Sequence, residues 1–96
     1  MRMLLTARLD TETANHAASD GTMLKMIEGV IEQLKPEATY FTPSEGDRAC
    51  FFIFDMKDAS EMPGIAEPFF QADAKVHLQP IMNLDDLTKG LSSMGK

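Results

Sequence analysis

The stretch ACFFIFDM, Ala49–Met56, decides how the rest of the chain is read. Cys50, Phe52 and Phe54 alternate with Phe51 and Ile53, so a β-strand here is apolar on both faces. Such a strand belongs in the middle of a sheet, with something covering each side. Upstream, RMLLTARL (Arg2–Leu9) has the same character, with Met3, Leu5, Ala7 and Leu9 on one face and Leu4, Thr6 and Arg8 on the other. The fourth strand segment, AKVHLQPIM from Ala74, differs: it carries Lys75, His77, Gln79 and Pro80. Proline cannot donate to a strand ladder, which places this segment at a sheet edge. EATYFT (Glu37–Thr42) is a short strand with Ala38, Tyr40 and Thr42 alternating against Thr39 and Phe41, and PSEGDR (Pro43–Arg48) reads as a hairpin loop using Gly46 for a positive φ.

Between these strands lie helical patterns. Asp10, Thr11 and Thr13 compete as N-caps for a helix running to Leu34 and stopped by Pro36. Met23, Ile27, Val30, Ile31 and Leu34 form its apolar stripe, and Gly21 marks a break, a bend or a fresh helix start capped by Ser19 or Asp20. SEMPGIAEPFFQ (Ser60–Gln71) is a second helix, capped near Ser60, with Pro63 in its first turn and Ile65, Phe69 and Met62 facing the core. NLDDLTKGL (Asn83–Leu91) is a terminal helix with Asn83 as cap, acids at its positive end, and Leu84, Leu87 and Leu91 expected to pack inward.

The order βαββαβ plus a terminal helix predicts one ferredoxin-like α+β domain over residues 1–96, an antiparallel sheet with helices on one face. Its spatial order, 4-1-3-2, puts the two-sided strands at the centre. The uncovered face then bears Leu4, Phe51 and Ile53, an apolar patch of the kind that marks an interface. Two copies meeting sheet to sheet is the simplest cover. A chain this short buries only roughly 60–65% of its unfolded surface, so a partner copy would also add stability.

The net charge of −6 disfavours nucleic acid and anionic membrane surfaces as partners. Cys50, the only cysteine, reads as a small buried hydrophobe, and no Cys/His spacing suits zinc. No segment reads as a signal peptide or a membrane span, which points to a cytoplasmic protein, and with no phosphate-binding glycine loop or dinucleotide fingerprint no metal or cofactor is expected. The expected site lies on the open sheet face. There, Arg8 orients a ligand or pairs with Asp55; Tyr40 and Gln79 offer polar contacts; Phe51 and Ile53 form an apolar wall; and His77 handles protons. A separate candidate is the four-residue spacing of Glu12, His16 and Asp20 on one helix face. It suits a His–Asp general base or metal ligands completed elsewhere, and it equally suits a solvated polar face.

DGT at Asp20–Thr22, LKPEATYF at Leu34–Phe41, AEPFF at Ala66–Phe70 and IMNLDDL at Ile81–Leu87 resemble segments of an uncharacterised family of small bacterial proteins in the dimeric α+β barrel superfamily. That superfamily also holds muconolactone isomerase-like proteins and cofactor-independent monooxygenases. The resemblance implies the fold and a homodimer; it implies no activity and no catalytic residue. Two functional classes follow. One is a protein that binds, or transforms without metal, a small apolar or anionic compound in a cavity between paired sheets. The other is a structural or regulatory module whose open face serves assembly alone.

Overall fold

The computed structural model describes residues 1–95. Four antiparallel strands, β1 (Arg2–Arg8), β2 (Ala38–Ser44), β3 (Asp47–Asp55) and β4 (Lys75–Pro80), form one sheet in the order β2-β3-β1-β4. The two-sided apolar strands are therefore central and the two proline-bearing strands are edges. Helices α1 (Thr11–Asp20), α2 (Thr22–Leu34) and α3 (Met62–Gln71) belong to the covering layer, and α4 (Leu84–Met94) follows the last strand. This is the ferredoxin-like architecture.

Side-chain parity follows the alternation in the sequence. Met3, Leu5 and Ala7 of β1 and Cys50, Phe52 and Phe54 of β3 are buried in one core with Leu9, Val30, Ile65 and Phe69. Phe52 is its centre, with Phe69 tilted against it at 5.8 Å and Phe41 edge-on at 6.3 Å. Met62, expected to join them, is exposed. It opens α3 directly after a 3₁₀ turn (Ala59–Glu61), so its side chain lies at the rim.

Local chemistry sets the boundaries. Asp10 wins the competition to cap α1, accepting from the Thr13 amide at 3.1 Å. Gly21, at φ 84°, breaks the long helical pattern into two, and the Asp20 carboxylate accepts from both the amide and the hydroxyl of Thr22. Asp58, not Ser60, caps the 3₁₀ turn, with Glu61 returning the bond to the Asp58 amide at 2.7 Å. Pro68 sits inside α3 and has no N–H for the Gly64 carbonyl four residues earlier. That carbonyl accepts instead from the Gln33 amide at 3.2 Å, which ties α3 to α2.

The loop expected over Pro43–Arg48 is much tighter. β2 and β3 run up to a two-residue turn at Glu45 (φ 54°) and Gly46 (φ 85°), with Ser44 opposite Asp47. Two consecutive left-handed residues give a turn whose twist matches that of the flanking strands. Gly46 suits its place; Glu45 holds that backbone against the usual side-chain preference.

The terminal helix departs furthest from expectation. Asn83 and Asp86 do form a reciprocal capping box. Leu84, Leu87 and Leu91 do not pack inward, however: every residue of α4 is exposed. The helix extends away from the sheet, giving a molecule 56 Å long with a radius of gyration of 15.5 Å. A compact chain of this length would have a radius of about 12.5 Å. No helix among the described residues is long and apolar enough to cross a membrane.

Candidate functional site

The face of the sheet opposite the helices carries three rows of side chains, each crossing all four strands. The first is Ala38, Ile53, Leu4 and Gln79; the second Tyr40, Phe51, Thr6 and His77; the third Thr42, Ala49, Arg8 and Lys75. Strand spacing sets roughly 14 Å from the Tyr40 backbone to that of His77 along the middle row. Apolar side chains fill the centre of this face, and polar ones stand at its two edges. Leu4, Phe51 and Ile53 are half-buried by their neighbours, while Tyr40, His77 and Gln79 are exposed. The register thus brings together six of the residues singled out in the sequence: Arg8, Tyr40, Phe51, Ile53, His77 and Gln79.

Arg8 does not meet Asp55. The antiparallel register puts Asp55 opposite Arg2 and Arg8 opposite Ala49, at opposite ends of the sheet. The Arg8 guanidinium instead pairs with Glu45 at 2.8 Å and Asp47 at 3.3 Å. Asp47 also accepts from the Thr11 hydroxyl at 3.0 Å. The unusual backbone of Glu45 is what carries its carboxylate to Arg8. The charge of Arg8 is thereby offset twice over, although its Nε is buried without a partner. Asp55 lies beside the terminal ammonium of Met1 at 2.7 Å, and that bond holds its pKa below the ordinary carboxylate value. Neither Glu45 nor Asp47 stood out in the sequence; only the hairpin register reveals them.

His16 and Asp20 lie on α1, in the layer on the other side of the sheet, and are exposed. The structure does not bring them to the open face. The Asp20 carboxylate is occupied by Thr22, whose hydrogen bonds lower its pKa; His16 contributes a smaller electrostatic effect in the same direction. No group of His, Cys, Asp and Glu among the described residues is placed to hold a metal ion. Cys50 is buried on the helix side, and burial pushes its thiol pKa up to about 11, leaving it protonated at neutral pH.

An apolar groove of about 330 Å³ runs between α1, α2 and α3, lined by Leu9, Ala14, Ala17, Met23, Met26 and Pro68 among others. A ligand site needs polar groups free to orient its occupant. Two hydroxyls at this groove are already engaged: Thr13 donates to Asp73 at 2.9 Å and Thr22 to Asp20 at 2.7 Å. The open sheet face, with Tyr40, Thr6 and His77 in one row and no side-chain hydrogen bond among the described residues holding any of them, meets the requirement better. Compared with known proteins, the chain matches no family model and no curated protein.

Proposed function

We propose that the chain acts as a homodimer, paired sheet to sheet in the manner of the dimeric α+β barrels, and binds a small apolar compound in the cavity between the sheets. The observation that carries this reading is the middle row of the open face, where Phe51 separates two uncommitted hydrogen-bonding groups, Tyr40 and the Thr6–His77 pair. An aromatic or alicyclic ring would lie on Leu4, Phe51 and Ile53. Its oxygen or nitrogen would meet Tyr40 on one side or the His77 imidazole on the other, and the imidazole can both donate and accept a hydrogen bond. Gln79 adds an amide to the same edge.

A neutral or weakly acidic ligand fits better than a strong anion. Arg8 already has two carboxylates, and the net charge of −6 works against anion capture. In this reading Arg8 holds the hairpin against β1 and bounds the polar end of the cavity.

The test is ligand-observed NMR of the full chain against a set of monocyclic and bicyclic phenols, ketones and carboxylic acids. Binders should come from the phenols and ketones. His77→Ala and Phe51→Ala should each weaken the best binder by roughly tenfold or more, about the effect of one buried polar or aromatic contact. Equal affinity in both variants, or no binder in the whole set, would assign the open face to assembly alone.

A further inference from the structure

The helix α4 is amphipathic, yet every one of its residues is exposed, its apolar stripe included. Leu84, Leu87, Leu91 and Met94 recur at helical spacing and form one stripe, with Leu84 75% and Met94 80% exposed. A helix of 11 residues is marginal in water by itself, even with a good cap. Its stripe therefore needs a surface to pack on. We propose that each α4 packs on a second copy of this chain, over the first half of that copy's β2, and closes one end of the cavity between the sheets. The inference rests on the face-to-face pairing proposed above and adds to it a residue-level contact across the dimer.

Edge-to-edge growth of the sheet is disfavoured on both sides, because Pro43 near the end of β2 and Pro80 at the end of β4 each remove a ladder donor. Face-to-face packing remains, and packed sheets keep their strands within about 30° of each other. A two-fold axis in the interface then runs either along the strands or across them. An axis across the strands lays β4 antiparallel on β4, so that Lys75 faces the Gln79 end of its copy and α4 leaves over the far end of that β4, away from either β2. An axis along them lays the β4 edge of one copy over the β2 edge of the other and keeps like strand ends on the same side.

The second arrangement matches what each edge lacks. β2 exposes Tyr40 by 63% and Phe41 by 55%, one on each side of the sheet, and α4 is the uncovered apolar element that could meet them. The chain leaves the sheet for α4 next to Met3, paired with Pro80, and β2 begins at this same end, with Ala38 opposite Ile53. Within one chain β2 lies three strand spacings, about 14 Å, from β4, and α4 extends away from it.

Interface area points the same way. Four strands about 4.8 Å apart and about 23 Å long present roughly 440 Å² in projection, short of the roughly 800 Å² per partner of a standard interface. A helix about 17 Å long and 10 Å wide adds roughly 170 Å². Because side-chain relief makes accessible area larger than its projection, the sheet and α4 together approach a stable interface, and the sheet alone does not.

The test begins with sedimentation equilibrium of the full chain and of the Leu87→Asp/Leu91→Asp variant. Since every residue of α4 is exposed, this variant keeps the fold, which circular dichroism verifies. Its dimer dissociation constant should rise by roughly 100-fold or more, given the apolar area lost from both helices. A dimer of unchanged affinity overturns the proposal and leaves the sheet-to-sheet pairing standing; a monomeric wild-type chain overturns both. A second variant, Cys50→Ala/Ala38→Cys/Thr88→Cys, which puts one thiol on the open face of β2 and the other beside the α4 stripe, is treated with a short bismaleimide. A covalent dimer is expected. An intrachain link means that α4 folds over its own sheet, and an intact dimer with no link means that a different protein takes the stripe; either overturns the proposal.

Discussion

Phe51 and Phe52 are adjacent in sequence and point to opposite faces of β3, so replacing each with alanine separates the stability of the chain from that of the dimer. Phe52 is fully buried between Phe69 and Phe41. Phe52→Ala should cost about 3–5 kcal/mol, as removal of a core phenylalanine does. A domain of 96 residues has in total about 5–14 kcal/mol. Phe51 is only half-buried within its own chain. In an isolated protomer Phe51→Ala should cost about 1 kcal/mol, and under a second sheet the loss should approach that of a core site. The assay is urea unfolding at two protein concentrations differing 100-fold. Dissociation coupled to unfolding makes the apparent stability fall by about 2.7 kcal/mol over that dilution. With a urea dependence of about 2–3 kcal/mol/M, the midpoint moves by about 1 M. The wild type and Phe52→Ala should both show this shift, and Phe51→Ala should reduce or abolish it. A wild-type midpoint independent of concentration, together with a cost for Phe51→Ala near 1 kcal/mol, would refute a covered sheet face.

Three further outcomes are expected. Pro68→Ala should stabilise the chain by about 1–3 kcal/mol by restoring a helical hydrogen bond to the Gly64 carbonyl, and in that background Gln33→Ala, otherwise worth about 1 kcal/mol, should become nearly silent; a double-mutant cycle in urea measures the coupling. Hydrogen bonds from the Ser60 hydroxyl and amide hold Asp58 below its ordinary pKa. Its contribution is therefore complete above about pH 4 and is lost as the pH falls through the lowered value, so the stability gap between wild type and Asp58→Asn should narrow between pH 6 and pH 3. Cys50 should react with a disulfide reagent at pH 8 only as fast as the protein opens, because the thiol is buried and its pKa lies near 11; rapid labelling of the native protein would contradict this.

The central strands, the edge strands and the two sheet faces were legible in the sequence because strand side chains alternate and bulky residues mark the parity. Leu4, Phe51 and Ile53 could be assigned to one face from spacing alone. The partners of Arg8 could not, since they depend on where the β2–β3 hairpin turns, and that turn uses Glu45 in a conformation its residue type disfavours. Asp58 displaced Ser60 as a cap because a 3₁₀ turn begins at Ala59, ahead of α3, and the Asp58 carboxylate accepts from the amide of Ser60 itself. The exposed course of α4 was also hidden: Leu84, Leu87 and Leu91 show that the helix has an apolar face, but sequence spacing does not say whose surface it faces. His16 and Asp20 have the spacing of a pair, yet Thr22 supplies the nearer donors to the carboxylate.

The position of β1 has a consequence for synthesis. β1 is made before the three strands it shares a sheet with, yet it is a central strand and hydrogen-bonds both to β3 and to β4. At about 5–20 residues per second, Leu78 follows its partner Leu5 out of the ribosome by about 4–15 s. The β2–β3 hairpin, closed by its two-residue turn, can form well before that and offer β1 a first edge. The other edge of β1 stays open until β4 has been made, so an elongation pause between β3 and β4 would prolong the interval in which this strand is most exposed to mispairing.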